Sequence, residues 1–193
     1  MTLEERLVGC VRASPRLMGV LQGVRDLDLP DWRLVSGCVY QTVWNSLIGR
    51  APDYGLKDYD AVYFDPDTSY DAEDVFIRRA AAAFAPPLDT MVEVRNQARV
   101  HLWFEGKFGE VYAPLLGTDE ALERFVCPAF AVGIRLEADG GISVASPFGL
   151  DDLFALRLQR NPNRPIHIAA FQRVVASVRA RWPEVQVVLE EAS

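Results

Sequence analysis

The pattern of apolar and polar positions along the chain predicts helices and strands that alternate. A capping-box pattern at Thr2 and Glu5 begins one helix, and Ser14-Pro15 begins a second. Apolar residues at helical spacing predict further helices over residues 38–48, 69–85, 96–108, 118–125 and 166–182, with another opening at 149. Runs typical of strands cover residues 32–35, 58–64, 90–95 and 185–189, and a hairpin pairs 129–137 with 142–146.

These elements follow one another without an internal repeat, a composition break or a low-complexity linker. We therefore expect one α/β or α+β domain over residues 1–193, with a mixed central sheet flanked by helices. In this interpretation residues 1–30 form a helical N-terminal segment, and residues 31–110 form the core that carries the candidate chemistry. Residues 111–193 add the hairpin and the C-terminal helices.

The net charge and the cysteines narrow the function classes. The 193 residues include 27 Asp and Glu against 20 Lys and Arg, a net charge of −7. Extended binding to duplex nucleic acid needs a basic face and is therefore disfavoured. No apolar run approaches the ~18 residues of a membrane span, and no signal-peptide pattern opens the chain. Cys10, Cys38 and Cys127 are scattered, which favours a reduced, cytoplasmic protein over a disulfide framework or a zinc site.

Several common catalytic motifs are absent from the sequence. It contains no GxSxG nucleophile elbow, no GxxxxGKS/T phosphate loop and no HExxH. His101 and His167 are its only histidines and lie far apart, so we expect each to be a core or surface residue. The chemistry that remains is that of carboxylates.

Asp58 and Asp60 are the main candidates for that chemistry. They stand two positions apart on a predicted strand, so their side chains share a face and lie roughly 6.6 Å apart along the chain. Val62 and Phe64 continue this face and favour burial, which would place the acids at the rim of a packed strand. Such a pair can share one Mg²⁺ or hold two ions, an arrangement suited to displacement at phosphorus. The alternative is an ordinary Asp-x-Asp pair without a metal.

Glu93 is a third acid on the strand predicted at 90–95, where apolar residues flank it. If the two strands are neighbours, Glu93 could complete a carboxylate triad with Asp58 and Asp60. The alternative is that Glu93 pairs with Arg95 or another arginine at a sheet edge.

Ser36-Gly37 lies between a predicted strand and the beginning of a helix. Glycine lets a phosphate approach the backbone closely, and the free N–H groups of a helix N-terminus attract anions. Plain turn chemistry is the alternative. Two further groups are expected to be structural: the acids from Asp65 to Asp74 as a solvated loop, and the aromatic residues as core. Those aromatic residues, which could otherwise stack on a base, are Trp44, Trp103, Phe104, Phe108 and Tyr112.

The order of these parts resembles the nucleotidyltransferase superfamily of DNA polymerase β type. The parts are an apolar-Ser-Gly turn, a helix, a strand with Asp-x-Asp and a later acidic strand. Within the superfamily, the chain is similar to small bacterial nucleotidyltransferase-family proteins of the NTP_transf_6 type. The resembling stretches are residues 36–45, 57–65, 92–103 and 146–154.

The resemblance implies a nucleotidyltransferase-like fold and a role for each matching residue. Asp58, Asp60 and Glu93 would be the catalytic acids and the ligands of Mg²⁺ or Mn²⁺, with an NTP as substrate. Ser36-Gly37 would face the triphosphate. Further candidates for triphosphate contact, for which salt bridging or helix capping is an equal alternative, are Arg95, Gln97 and Arg99.

The leading hypothesis is therefore transfer of a nucleoside monophosphate to a hydroxyl of an unidentified small molecule, protein or RNA end. A non-catalytic nucleotide-binding or regulatory module is the alternative, because Cys38 follows Gly37 where the superfamily usually has Gly-Ser or Gly-Gly. A phosphohydrolase that uses the same carboxylates also stays open. We expect no membrane association.

Overall fold

The computed structural model describes residues 1–164 and 166–188. The helices are α1 (Leu3–Arg12), α2 (Pro15–Asp26), α3 (Gly37–Leu47), α4 (Tyr70–Ala83), α5 (Leu88–Met91), α6 (Val100–Phe108), α7 (Thr118–Leu122), α8 (Asp151–Phe154) and α9 (Ile168–Arg179). The strands are β1 (Arg33–Val35), β2 (Tyr59–Tyr63), β3 (Val92–Asn96), β4 (Gly133–Leu136), β5 (Ile142–Ala145), β6 (Arg157–Leu158) and β7 (Gln186–Val187). Short 3₁₀ turns cover Gln97–Arg99 and Pro128–Phe130. No helix in these two ranges is long and apolar enough to cross a membrane.

A five-stranded mixed sheet in the order β3-β2-β1-β4-β5 is the centre of the fold. β2 and β3 are parallel and are connected through α4 and α5, whereas the β1–β2, β1–β4 and β4–β5 pairs are antiparallel. The mixed α/β class and the C-terminal hairpin are thus confirmed. A small parallel pair, β6 with β7, lies apart from this sheet.

The two faces of β2 are buried to different extents. Tyr59, Ala61 and Tyr63 are fully buried in the main core. On the other face, Asp60 and Val62 are only partly buried, and Val62 packs against a second, smaller cluster of apolar residues. The expectation that the face of Val62 would be the buried one is therefore wrong. The tyrosines bury more surface against the helices, and the strand turns its acid toward the more open side.

Sequence signals at the helix beginnings match the structure. Thr2 and Glu5 form both bonds of a capping box, and the Ser14 hydroxyl accepts from the N–H of Leu17. Leu7 on α1 and Leu21 on α2 are fully buried in the main core. These caps and apolar stripes explain why the two N-terminal helices form and dock where they do.

Other predicted boundaries shift. The strand predicted at 90–95 begins only at Val92, because residues 88–91 form a helical turn. The predicted helix at 96–108 begins with a 3₁₀ turn, and residues 128–130 form another before the hairpin. The strand predicted at 185–189 is observed as Gln186–Val187, and residue 189 lies outside the described residues. Its partner β6 was not predicted.

A buried asparagine fixes the loop that leads into β2. Asn45 is fully buried and donates to the backbone oxygens of Pro52 (3.2 Å) and Tyr54 (2.8 Å). Its side-chain oxygen accepts from Nε1 of Trp182 at 2.8 Å. A buried amide with all its bonds made is costly to move, so this contact fixes the path of the chain toward Asp58.

Candidate active site

The three predicted acids lie at the same end of neighbouring strands. Asp60 in β2 is directly opposite Glu93 in parallel β3, and directly opposite Val35 in antiparallel β1. Asp58 precedes β2 by one residue. The end of β1, and therefore Ser36, meets the beginning of β2 and β3. The neighbouring-strand condition for bringing Glu93 to the Asp pair is met.

Electrostatics show that these carboxylates influence one another. The pKa of Asp60 is raised to about 6, first by burial and then by repulsion from Asp58 and Glu93. Arg95 and a hydrogen bond from the Ser36 hydroxyl act in the opposite direction. An aspartate with a pKa this high is uncommon and marks a site where negative charge has been concentrated.

Ser36 has an unusual backbone conformation at this point. Its φ is +62° and its ψ is −134°, a region that residues with a side chain rarely adopt. Its hydroxyl favours the charged form of Asp60 and does not cap α3. Within the described residues no side chain caps this helix, and the N–H of Val39 donates to the backbone oxygen of Ser36 at 3.0 Å. The N–H groups of the first turn that could receive another acceptor are therefore those of Gly37 and Cys38.

Gly37 provides close packing at the same turn. A Cβ at Gly37 would lie 2.8 Å from Nε2 of Gln41 and 3.9 Å from Oδ1 of Asp58, so only glycine fits without movement of Gln41. Gln41 is 6% exposed and donates to the Tyr40 hydroxyl at 3.1 Å. Its Oε1 has no hydrogen-bond partner in the part of the chain that the structure describes. Sequence reasoning missed Gln41, although it stands four residues after Gly37 on the helix that begins there.

Arg95 lies next to the acids, as the alternative for Glu93 predicted. Its guanidinium donates to Glu93 Oε2 at 3.4 Å and to the backbone oxygen of Val94 at 3.0 Å. Both side chains of the Glu93–Arg95 pair are about half exposed. Within residues 1–164 and 166–188, no group of three or more His, Cys, Asp or Glu side chains forms a metal-binding cluster.

Comparison with known proteins assigns this arrangement to a family. The family model described as NTP_transf_6, Nucleotidyltransferase, matches residues 22–187. The chain belongs to this nucleotidyltransferase family. No curated protein matches it. Its fold is also similar to a structure solved by NMR and described as revealing a CCA-adding enzyme head domain. That similarity has a TM-score of 0.79 and 24% identity, and it covers 97% of this chain and 96% of the other.

In this member of the nucleotidyltransferase family, Cys38 is buried near the acids, close enough for the charges of Asp60 and Asp58 to act on its thiol. Cys38 is fully buried, and its thiol donates to the backbone oxygen of Val35 at 3.2 Å. Burial, together with the charges of Asp60 and Asp58, raises the pKa of the thiol well above its ordinary value. The residue is therefore a small apolar element of the core, and the thiolate form is strongly disfavoured.

Arg99 is engaged beneath the acidic loop. It forms an ion pair with Glu73 at 2.9 Å, in which both side chains are largely buried, and it also bonds the backbone oxygen of Thr68. Glu73 in turn accepts from the backbone N–H of Asn96 at 2.9 Å. Glu73 was expected in a solvated loop, and that expectation is wrong, since the arginine and the strand end bury it.

Asn96, which was not predicted as important, anchors the same loop. Its side chain accepts from the N–H of Asp65 at 3.1 Å and donates to the backbone oxygens of Asp65 (2.9 Å) and Asp67 (3.1 Å). Gln97 follows it, is buried and donates to the backbone oxygen of Arg95 at 3.3 Å. The end of β3, three residues beyond Glu93, is therefore tied to the loop that follows β2.

Two cavities meet at Ser36 and Gln97, which line both of them. A small one of about 220 Å³ includes Asp60, Arg95 and Gln97, and a larger one of about 940 Å³ begins at Ser36 and Gln97 and extends toward α9. Of the aromatic residues expected in the core, Trp44 is fully buried, but Trp103 and Phe108 are 41% and 54% exposed. Trp103 lines the small cavity, while the large one is lined by Phe104, Phe108 and Tyr112.

Proposed function

We propose that this chain is a metal-dependent nucleotidyltransferase that moves a nucleoside monophosphate from an NTP to a hydroxyl acceptor. One observation carries the proposal: Asp60 and Glu93 stand opposite each other on parallel strands, beside Asp58 and the uncapped beginning of α3. Family membership supports it. In-line transfer at phosphorus needs a place for a cation next to a place for phosphate, and the arrangement of the acids beside the beginning of α3 supports such a pair of positions.

The acids fit a hard divalent cation by the chemistry of their donors. Asp58, Asp60 and Glu93 offer carboxylate oxygens, and the repulsion that raises the Asp60 pKa is what a bound cation would relieve. When bound, Mg²⁺ or Mn²⁺ would neutralise phosphate charge and help to deprotonate the attacking hydroxyl. Glu93 is the acid with a competing partner, because it shares its charge with Arg95.

The other site residues would bind and orient the nucleotide. The N–H groups at the beginning of α3 would receive phosphate oxygens, and the missing side chain at Gly37 would let them approach. Arg95 and Gln97, at the end of β3, would contact the triphosphate from the opposite side. Arg99 would act indirectly, by holding the acidic loop through Glu73.

The test is metal-dependent consumption of a labelled NTP with release of pyrophosphate. The panel of acceptors should include an RNA end, since the similar fold is described as a CCA-adding enzyme head domain. Asp58→Asn and Asp60→Asn should each reduce pyrophosphate release by at least ~100-fold. Asp71→Asn, in the exposed first turn of α4, is the matched control and should retain activity. Turnover that survives both site variants would refute the proposal.

A second candidate is a nucleotide-binding module without turnover. The pairing of Glu93 with Arg95 favours it, because this pairing occupies the third acid. Calorimetry would then show NTP binding, while prolonged incubation with Mg²⁺ would release no pyrophosphate. Arg95→Gln should increase metal affinity if the acids form a metal site, because it frees Glu93, while pyrophosphate release separates the enzyme from the binding module.

A further inference from the structure

The large cavity next to the acids is strongly basic, although the chain carries a net charge of −7. It is lined by Arg124, Arg164, Arg173 and Arg181, and His167 also faces it. Its lining includes one carboxylate, Glu110, among the described residues. Concentrating positive charge in one concavity of an acidic protein creates a local potential that attracts anions.

Two of the four arginines are already engaged with carboxylates. Arg164 pairs with Glu110 at 2.6 Å, and Arg124 pairs with Glu120 at 3.0 Å. In the part of the chain that the structure describes, Arg173 has no ion pair and is exposed toward the cavity. Such a guanidinium is free to receive a ligand.

Arg181 is the second of the four cavity arginines that has no carboxylate partner within residues 1–164 and 166–188. It donates to the backbone oxygen of Gly55 at 3.0 Å, and its guanidinium lies 4.6 Å from the centre of the Trp182 ring. Its charge reaches Tyr40, where it opposes the rise of the tyrosine pKa that burial causes. Because its side chain is held in place, Arg181 offers a fixed positive charge between α9 and α3.

Aromatic rings form the rest of the wall. Tyr40 stacks on Phe130 with ring centres 4.2 Å apart, and Phe104 lies 4.5 Å from Tyr112. Phe108 is 54% exposed, and its ring centre lies 4.7 Å from that of Phe104. Rings that are packed against one another at the back but accessible from the cavity can receive a planar group.

We propose that this cavity binds a substrate that combines a planar ring with a phosphate or carboxylate group, the anion being held by Arg173 and Arg181. The cavity volume of about 940 Å³ suits a ligand of nucleotide size. The inference rests on the proposed function in one respect: a substrate of that reaction must lie beside the acids. This chemistry has two sources, the NTP itself or the acceptor.

Phenyl phosphate is the probe, since it has one ring and one dianion. Titration followed by ¹H–¹⁵N NMR should show binding to the wild-type protein that weakens by about tenfold or more in Arg173→Gln, the effect of one charge-assisted hydrogen bond. The matched control is Arg78→Gln, which removes the same charge from a side chain that is 71% exposed on α4, outside the cavity. Arg78→Gln should bind as the wild type does.

The same spectra report whether Arg173→Gln is folded, and benzyl alcohol reports the contribution of the ring without the charge. The affinity for benzyl alcohol should be the same in the wild type and in Arg173→Gln. Phenyl phosphate displaced by ATP with Mg²⁺ would assign the cavity to the nucleotide, and phenyl phosphate bound beside ATP would assign it to the acceptor. Binding that is absent, or that is equally strong in the folded Arg173→Gln variant, would overturn the inference.

Failure of this inference is distinguishable from failure of the enzyme. Binding is measured without turnover, so Arg173-dependent binding stands even if no pyrophosphate is ever released. Conversely, if the protein releases pyrophosphate but Arg173→Gln has no effect on the binding of phenyl phosphate, the proposed function stands and the cavity is not its substrate site.

Discussion

Replacing Asp60 with asparagine should stabilise the protein. The difference in free energy of unfolding between the variant and the wild type should increase as the pH rises. The substitution keeps the shape of the side chain and its capacity to bond Ser36, but removes the charge. In the folded state that charge is disfavoured by burial and by repulsion from Asp58 and Glu93, which together raise the Asp60 pKa to about 6. In the unfolded chain the pKa returns to its ordinary value of 3.8.

The direction of the pH dependence follows from proton binding. Between the unfolded pKa of 3.8 and the folded pKa of about 6, the folded state binds more protons, so the free energy of unfolding falls as the pH rises. Above pH ~7 the charged Asp60 costs roughly 3 kcal/mol, at about 1.4 kcal/mol per pKa unit. Between pH ~5 and ~7.5 this cost grows by about 1.4 kcal/mol.

Urea unfolding in EDTA at pH ~5, ~6 and ~7.5 measures the difference between Asp60→Asn and the wild type. The variant should be more stable throughout, and its advantage should widen by about 1–2 kcal/mol over this range. Asp71→Asn, at an exposed position, corrects for loss of one unit of net charge. Adding Mg²⁺ should narrow the gap by stabilising the wild type alone. A difference that stays constant with pH, or a variant less stable than the wild type at pH ~7.5, would refute this reasoning.

Three further substitutions test the surroundings of the acids. Ser36→Gly should raise the free energy of unfolding by about 0.5–1 kcal/mol, because it relieves the positive φ, and should lower pyrophosphate release. A loss of stability together with the loss of pyrophosphate release would contradict this. Gly37→Ala should weaken NTP binding in calorimetry by about tenfold, since its Cβ displaces Gln41; unchanged affinity would show that the turn does not contact phosphate. Glu73→Gln should lower the free energy of unfolding in urea by about 2–4 kcal/mol, as it leaves Arg99 largely buried without its partner, and a loss under 1 kcal/mol would argue against that ion pair.

Local sequence signals predicted those elements whose cause is local. The signals for the capping box of α1 and for the Ser14-Pro15 beginning of α2 lie within a few residues of each helix start, and both helices begin as expected. The strand predicted at 58–64 was equally visible, because turn residues bound it on both sides, and it forms as Tyr59–Tyr63. The residues alone suggested Glu93 as a third acid only if the two strands are neighbours, and the structure shows that they are.

The misses have non-local causes. Both faces of β2 carry apolar residues, so alternation could not decide that Tyr59 and Tyr63 face the core and Val62 the smaller cluster. β6 is two residues long and exists only because residues 186–187 pair with it. Glu73 is polar in sequence, and its burial depends on Arg99, which lies 26 positions further along the chain.

Three energetic costs of this fold meet where β1 ends and β2 and β3 begin. Ser36 holds a positive φ, and Asp60 keeps a charge that burial and its neighbours oppose. Gln41 buries an oxygen that has no hydrogen-bond partner within residues 1–164 and 166–188. Single features of these kinds also occur elsewhere, such as the positive φ of Leu156 and the buried Tyr63 hydroxyl, which has no hydrogen-bond partner among the described residues. A chain selected only for stability would remove such strain, since each feature can be relieved by one substitution. Their coincidence at one point, next to a basic and aromatic cavity, is therefore physical evidence for a site that binds something, and it stands apart from any similarity to other proteins.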